Sequence, residues 1–484
     1  MNITRLPIRL TGDDRRVIAR PFILGAARAQ SLLNRISELD EPTVEKLLTK
    51  VRADFGTRHL RTDELFEEHF RMASRLAGWK DGWTPSRSLL AGAYFTMEYS
   101  VDSAALFNPS IVAHPDQSGV PAGALRFVMS LRATGEGHVS SVVFRTGLIT
   151  VDNEVQIDPP PERLHRARFV PDRTFDRPLF SQKLREIGIN RGIIDAVVNK
   201  LNESFTLQEL TIAVEDARQQ LKDVAGSNDA LRTMNWLASS NYHISLEASA
   251  SLSELVIFPM SEEESHGIED LRLVQFHDDN QQMCYYGTYT AYDGVRTLPM
   301  MIHTRDFHRV EVHSLNGPGA ANKGLALFPR KIGGRFVMCA RIDGENLYIN
   351  TSDSAYFWDS AKRLVAPRFP WEFVQLGNCG SPLETDDGWL LLTHGVGPMR
   401  TYAIGALLLD RDDPLKVLGY LPEPLITADD HEREGYVPNV VYTCGAIIHT
   451  GRLFIPYAQA DKSTSLAVVD LNELLDRLTD HAPA

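Results

Sequence analysis

Glu269, Asp270 and Arg272 are the residues whose types and spacing are best suited to chemistry. They stand in Gly267-Ile268-Glu269-Asp270-Leu271-Arg272-Leu273, directly before a run with strand character. Adjacent carboxylates beside a guanidinium can be driven to different protonation states, so that one delivers a proton while the others orient a polar substrate. The same segment alone also reads as a solvated acidic turn. A second cluster, Gly135-Glu136-Gly137-His138-Val139-Ser140-Ser141, sets a carboxylate and an imidazole between glycines. It reads as a loop that contacts substrate, as a catalytic pair or as a plain turn, and no third metal ligand accompanies it. His277-Asp278-Asp279-Asn280 has the composition of a metal site but the pattern of a polar turn before a strand. Trp371 and Trp389 could stack on a ligand or fill the core. Cys284, Cys339, Cys379 and Cys444 are scattered without a CxxC pair, which argues against zinc, and two lie in apolar runs where a reduced, buried thiol is expected. No metal and no cofactor is expected.

The elements that must position these groups are legible as a repeat. Short extended phrases recur, beginning near Met283, Arg335, Gly388 and Arg452, at spacings of about 52, 53 and 64 residues. Leu125-Arg126-Phe127-Val128-Met129-Ser130-Leu131-Arg132 has the same form and is a fifth copy. β-rich segments at such a period are the mark of a propeller, whose blades bring inner strands together around one axial pocket. The expected fold class is mainly β, a five-bladed β-propeller. Helical periodicity over residues 26–39, 41–55 and 62–77 predicts an N-terminal helical segment. A second helical block, about residues 180–238, separates Leu125 from Met283 by roughly three periods. It is expected as an insertion between the first two blades. The division predicted is a helical segment, residues 1–85, and a catalytic propeller, residues 86–484. Helical additions of this kind shield an edge, cover the pocket or make an oligomer interface, and a homo-oligomer through the helical segments is the expectation.

Composition narrows the partner. A net charge of −13 argues against nucleic acid, whose binding needs clustered Lys and Arg. No apolar run approaches the roughly 20 residues of a membrane span, and no secretory leader is evident. A cytoplasmic protein acting on a small neutral substrate is expected.

Taken with Tyr285-Tyr286-Gly287-Thr288-Tyr289-Thr290-Ala291-Tyr292-Asp293-Gly294, the segment around Asp270 resembles the central motif of glycoside hydrolase family 130, the β-mannoside phosphorylases and mannosidases. Asn322-Lys323-Gly324 through Pro329, Gly388-Trp389 through Val396, Gly435-Tyr436-Val437-Pro438-Asn439-Val440 and Tyr457 through Asp461 follow in that family's order. Leu271 departs, standing where the family usually has Pro. The resemblance implies a five-bladed propeller that acts on short β-linked mannosides with inversion. It implies that Asp270 is the general acid, protonating the glycosidic oxygen through a mannosyl hydroxyl. Glu269 and Arg272 would orient sugar or acid, and Asn108, Arg132 and Asp461 would line the pocket of the mannosyl unit being cleaved.

The nucleophile separates two outcomes. A phosphorylase must hold a dianion in a nest of cations beside the anomeric carbon, whereas an inverting hydrolase needs a carboxylate to activate water. Asn322, Lys323 and His394 match the family's phosphate-binding positions, with inorganic phosphate then a co-substrate. Glu384 stands where a phosphorylase typically has Lys, and an anion there would repel phosphate and could serve as base. The sequence therefore favours hydrolysis, with Asp270 and Glu384 as the catalytic pair. Phosphorolysis is the alternative, and a non-catalytic carbohydrate-binding propeller the second.

Overall fold

The computed structural model describes residues 2–80, 82–170, 174–186, 188–239, 241–245, 251–261, 264–295 and 297–481. Each of the five repeated phrases becomes a strand: Leu125–Thr134, Met283–Tyr292, Phe336–Ala340, Gly388–Val396 and Arg452–Gln459. Their aromatic and branched side chains suit a pleated surface, and most are buried. Each phrase is the second strand of an antiparallel group. The first strands are Ala105–Ala113, Gly267–His277, Ala326–Leu327, Gln375–Asn378 and Val441–Tyr442, and the polar candidates lie on or beside them. The chain is thus mainly β. A parallel pair, Gly267 with Ser140, joins the first two groups in one sheet.

The N-terminal segment contains the helices Ala26–Ser37, Glu41–Phe55, Thr62–Ala77 and Pro85–Tyr94. Asp40 accepts from Thr43 N ahead of Glu41-Pro42, and Thr84 accepts from Arg87 N ahead of Pro85, two N-caps followed by a first-turn proline. Leu33, Ile36, Phe70, Ala73 and Ala91 form the core of this segment. It is not helical throughout. Ile3–Leu10 is a strand antiparallel to Ser463–Asp470, with Ile3 opposite Val469, so a strand from within residues 1–85 belongs to the last sheet. The alternation of Leu6, Ile8 and Leu10, which pack beside Phe454 and Leu466, is the period-2 signal for it.

Between the first and second groups lie the helices Arg177–Glu186, Arg191–Val198, Leu207–Gln220 and Ser227–Ser239, with a separate core that includes Leu184, Ile194, Val197, Phe205 and Leu231. The chain leaves this block through Tyr242–Ser245, which pairs with Arg309–Ser314 at the far edge of the second group. Among the described residues no helix is long and apolar enough to cross a membrane.

Candidate active site

Two β-bulges aim the central candidates at each other. In Gly267–His277 the register slips between Glu269 and Arg272, and Asp270 inside the slip has φ 56°. In Ala105–Ala113 it slips between Phe107 and Ser110, and Asn108 has φ 46°. Such backbone is uncommon for residues other than glycine and persists only where the surroundings enforce it. Here the two meet: Asn108 Nδ2 donates to Asp270 Oδ1 at 2.7 Å. Arg132, near the end of Leu125–Thr134, donates from Nη1 to Asp270 Oδ1 at 3.3 Å and from Nη2 to Glu269 Oε1 at 2.9 Å. Lys323 Nζ reaches Glu269 Oε2 at 2.6 Å. Arg272, buried, donates to the Asp270 carbonyl at 3.1 Å and to Tyr442 Oη at 2.7 Å. Burial alone would push the Asp270 carboxyl up, but Arg132, Arg272, the Asn108 hydrogen bond and Lys323 hold it below the usual carboxylate range.

Asp461 behaves oppositely. It sits in the turn between Arg452–Gln459 and Ser463–Asp470, beside Lys462, whose carbonyl accepts from Leu106 N at 3.0 Å. Burial first, and then the charge of Asp270, push its carboxyl up to about 6, against Arg132 and Arg400. The two neighbouring carboxyls are thus pushed in opposite directions, and in the free site Asp461 keeps its proton to higher pH than Asp270.

A cationic wall adjoins this acid pair. His394 Nδ1 lies 3.3 Å from the Asn378 carbonyl, which can only accept, so Nδ1 carries the proton and Nε2 accepts from Arg341 Nη1 at 3.3 Å. Burial, then Arg341 and Arg272, drive His394 well below its ordinary value and keep it neutral. Gly377 makes room, since a Cβ there would stand 2.5 Å from His394 Cε1. The Gln375 amide lies 3.0 Å from His394 Nε2. The loop through Asn322, Lys323 and Gly324 packs Gly324 near Arg341 and Asn378, while Asn322 is exposed with its amide beside Gly344. Among the described residues no carboxylate pairs with Arg341.

A model of glycoside hydrolase family 130, described as β-1,4-mannooligosaccharide phosphorylase, matches residues 239–480. The chain belongs to this family. It is therefore an enzyme that acts on glycosides. The 1,2-β-oligomannan phosphorylase of Thermoanaerobacter sp. (strain X514) is 33% identical over 232 residues, covering 46% of this chain and 75% of that protein. The β-1,2-mannobiose phosphorylase of Listeria innocua is 27% identical over 304 residues, covering 59% and 82%. A solved structure of a β-1,2-mannobiose phosphorylase from Listeria innocua with mannobiose bound is 20% identical, covers 79% of this chain and 94% of that one, and has a TM-score of 0.48.

Within this family-130 chain the structure joins Asn108, Arg132, Glu269, Asp270, Arg272 and Lys323 in one network, with Asp461 and His394 coupled to it electrostatically. It does not bring Glu384 there. Leu383–Thr385 sets Glu384 opposite Trp389, five positions along Gly388–Val396 from His394, which is about 16 Å of strand. The Glu384 carboxylate instead pairs with Arg330 at 2.7 Å and Arg411 at 3.1 Å, and the Arg330 hydrogen bonds, then Arg411, lower its pKa. It neither faces Asp270 nor repels an anion held by Arg341. Trp389 is fully buried with its Nε1 donating to Arg411 O, and Trp371 Nε1 donates to Pro422 O, so both indoles pack the fold. Asp278 accepts from Asn280 N and Gln282 N, a turn as its pattern suggests. All four cysteines are buried and unpaired.

Arg341, Arg400 and Tyr442 were not singled out by sequence. For Arg341 a signal existed: Phe336-Val337-Met338-Cys339-Ala340-Arg341 repeats the form of Phe127-Val128-Met129-Ser130-Leu131-Arg132, and both arginines reach the site.

Two expected outcomes follow from this geometry. Glu384→Gln should leave turnover within about twofold of wild type and lower Tm only slightly, because exposed ion pairs are worth about 0–1 kcal/mol; steady-state assays and thermal melts check both. Asp461 binds its proton more tightly folded than unfolded, so its stabilising contribution is present below the ordinary carboxylate range and lost as pH rises through about 6. Asp461→Asn, tolerated at φ 50°, should therefore raise Tm by a few degrees near about pH 8 and little near about pH 4, read by scanning calorimetry.

Proposed function

We propose that this protein is an inverting β-mannoside phosphorylase that cleaves short β-linked mannosides with inorganic phosphate and releases α-mannose 1-phosphate. The observation that carries the reading is Arg341, a half-buried guanidinium with no carboxylate partner among the described residues, held by neutral His394 beside Lys323 and Arg272. Arg132, Arg272, Lys323 and Arg400 act on the three carboxylates Glu269, Asp270 and Asp461, and Arg341 is a further cation, a surplus suited to a phosphate dianion. The phosphorylase names of the relatives support the same nucleophile, and two of those relatives make β-1,2-mannosides the first substrates to try.

In this reaction a phosphate oxygen attacks the anomeric carbon from the face opposite the leaving oxygen, the glycosidic C–O bond breaks, and the leaving oxygen takes a proton that originates on Asp270 and passes through a mannosyl hydroxyl. Asp270 is ionised in the free site, so the sugar must make it an acid. A bound mannosyl ring excludes water from the carboxyl, and this desolvation raises its pKa. Arg341, Lys323 and Arg272 hold the phosphate, His394 and Gln375 hold Arg341, and Asn108 fixes the Asp270 carboxyl.

The five antiparallel groups support a five-bladed propeller with helical additions, a fold that would set these residues around its axis. Exposed Phe22, Leu24, Phe55, Met72, Leu76 and Tyr94 support a homo-oligomer contact through the N-terminal segment. Four unpaired cysteines fit a reducing, cytoplasmic setting. The test is cleavage of β-1,2-mannobiose with and without phosphate: phosphorolysis requires phosphate, and equal release of free mannose in its absence would overturn the reading.

A further inference from the structure

One aromatic pair lies at the edge of this site and no step above uses it. His138 and Tyr436 stack with ring centroids 5.7 Å apart and planes at 26°, although both are exposed, Tyr436 by 63%. They come from distant parts of the chain. His138 is in the turn after Leu125–Thr134, the strand that carries Arg132, and Tyr99 Oη anchors this turn by donating to Glu136 O at 2.9 Å and Val139 O at 3.2 Å. Tyr436 is held against the residue that precedes Asp461. Val437 N donates to Ala460 O at 2.9 Å, and Gly435 lies so close that a Cβ there would be 2.7 Å from Ala460 Cβ. Arg132 and Asp461 both belong to the acid network, so the stacked rings stand at its mouth, on the side where those two residues lie.

We infer that Tyr436, backed by His138, is the platform for the sugar on the leaving side of the scissile bond, and so the residue that selects the acceptor in the reverse reaction. The ring being cleaved must sit against Asp270 and Asp461. The next ring extends outward from there to the mouth. Its C–H face is apolar and flat, the surface an aromatic ring covers best, while its hydroxyls stay in water. His138, with its backbone at φ 59°, fixes the orientation of the Tyr436 ring, so less freedom is lost on binding. The inference rests on the β-mannoside phosphorylase reading.

The experiment is synthesis from mannose 1-phosphate with mannose as acceptor. Tyr436→Ala should raise the acceptor KM about three- to tenfold and leave the KM for mannose 1-phosphate unchanged, as expected for one lost ring stack. Tyr436→Phe should keep wild-type values, and His138→Ala should raise the acceptor KM less than Tyr436→Ala does. An unchanged acceptor KM in Tyr436→Ala, or an equal rise in both constants, overturns the platform. If the wild-type protein makes no glycoside from mannose 1-phosphate, the phosphorylase reading falls instead. Calorimetric titration then decides the platform: Tyr436→Ala must weaken mannobiose but not mannose, and equal binding of mannobiose by both proteins overturns it.

Discussion

Replacing Asp270 by Asn should lower kcat by about 10²- to 10⁴-fold, the usual contribution of a positioned general acid, while the protein stays folded and still binds mannobiose. The amide preserves the acceptor oxygen that Asn108 and Arg132 bond at 2.7 and 3.3 Å, so the bulge at φ 56° keeps its supports. What it cannot do is release a proton to the sugar hydroxyl. Circular dichroism and calorimetric titration verify fold and binding, and initial rates with mannobiose and phosphate read the loss. A variant with wild-type turnover would move the acid role to Asp461 or Glu269, the other carboxylates of the network.

The second large effect is on phosphate. Arg341→Gln should raise the KM for phosphate by about 10- to 100-fold, because a hydrogen bond to a charged group is worth about 1.5–3 kcal/mol, and should leave the KM for mannobiose near wild type. The neutral amide is close in shape but removes a guanidinium that, among the described residues, pairs with no carboxylate. His394→Asn should act in the same direction and more weakly, since His394 holds Arg341 without carrying charge itself. Phosphate dependence that stays at the wild-type value in Arg341→Gln would remove Arg341 from the anion site.

Much of this site was legible because its chemistry sits in contiguous phrases. Glu269, Asp270 and Arg272 are neighbours in one strand, and the repeated run ending in Arg132 supplies the residue that bridges both acids. The unread part depends on how strands carry residues apart or together. Glu384 lies close to Asn378 in sequence, yet Leu383–Thr385 pairs with the opposite end of Gly388–Val396 and takes it to Arg330 and Arg411. The repulsion argued for phosphate therefore acts on a charge that is elsewhere and already neutralised, which is why the hydrolytic reading gave way. Tyr442 and Asn378 come from strands of two and four residues, too short to show a period, and they act through Arg272 and His394. In the N-terminal segment three helices were readable from caps and periodicity, whereas the alternation of Leu6, Ile8 and Leu10 marks a strand without naming its partner, which lies more than 450 residues away.

The most direct test of phosphate as the nucleophile is cleavage of β-1,2-mannobiose at saturating phosphate in water enriched in heavy oxygen. Phosphorolysis predicts α-mannose 1-phosphate as the main product, with no solvent oxygen at its anomeric carbon. Free mannose carrying heavy oxygen at the anomeric carbon, formed at the same rate whether or not phosphate is present, would contradict it.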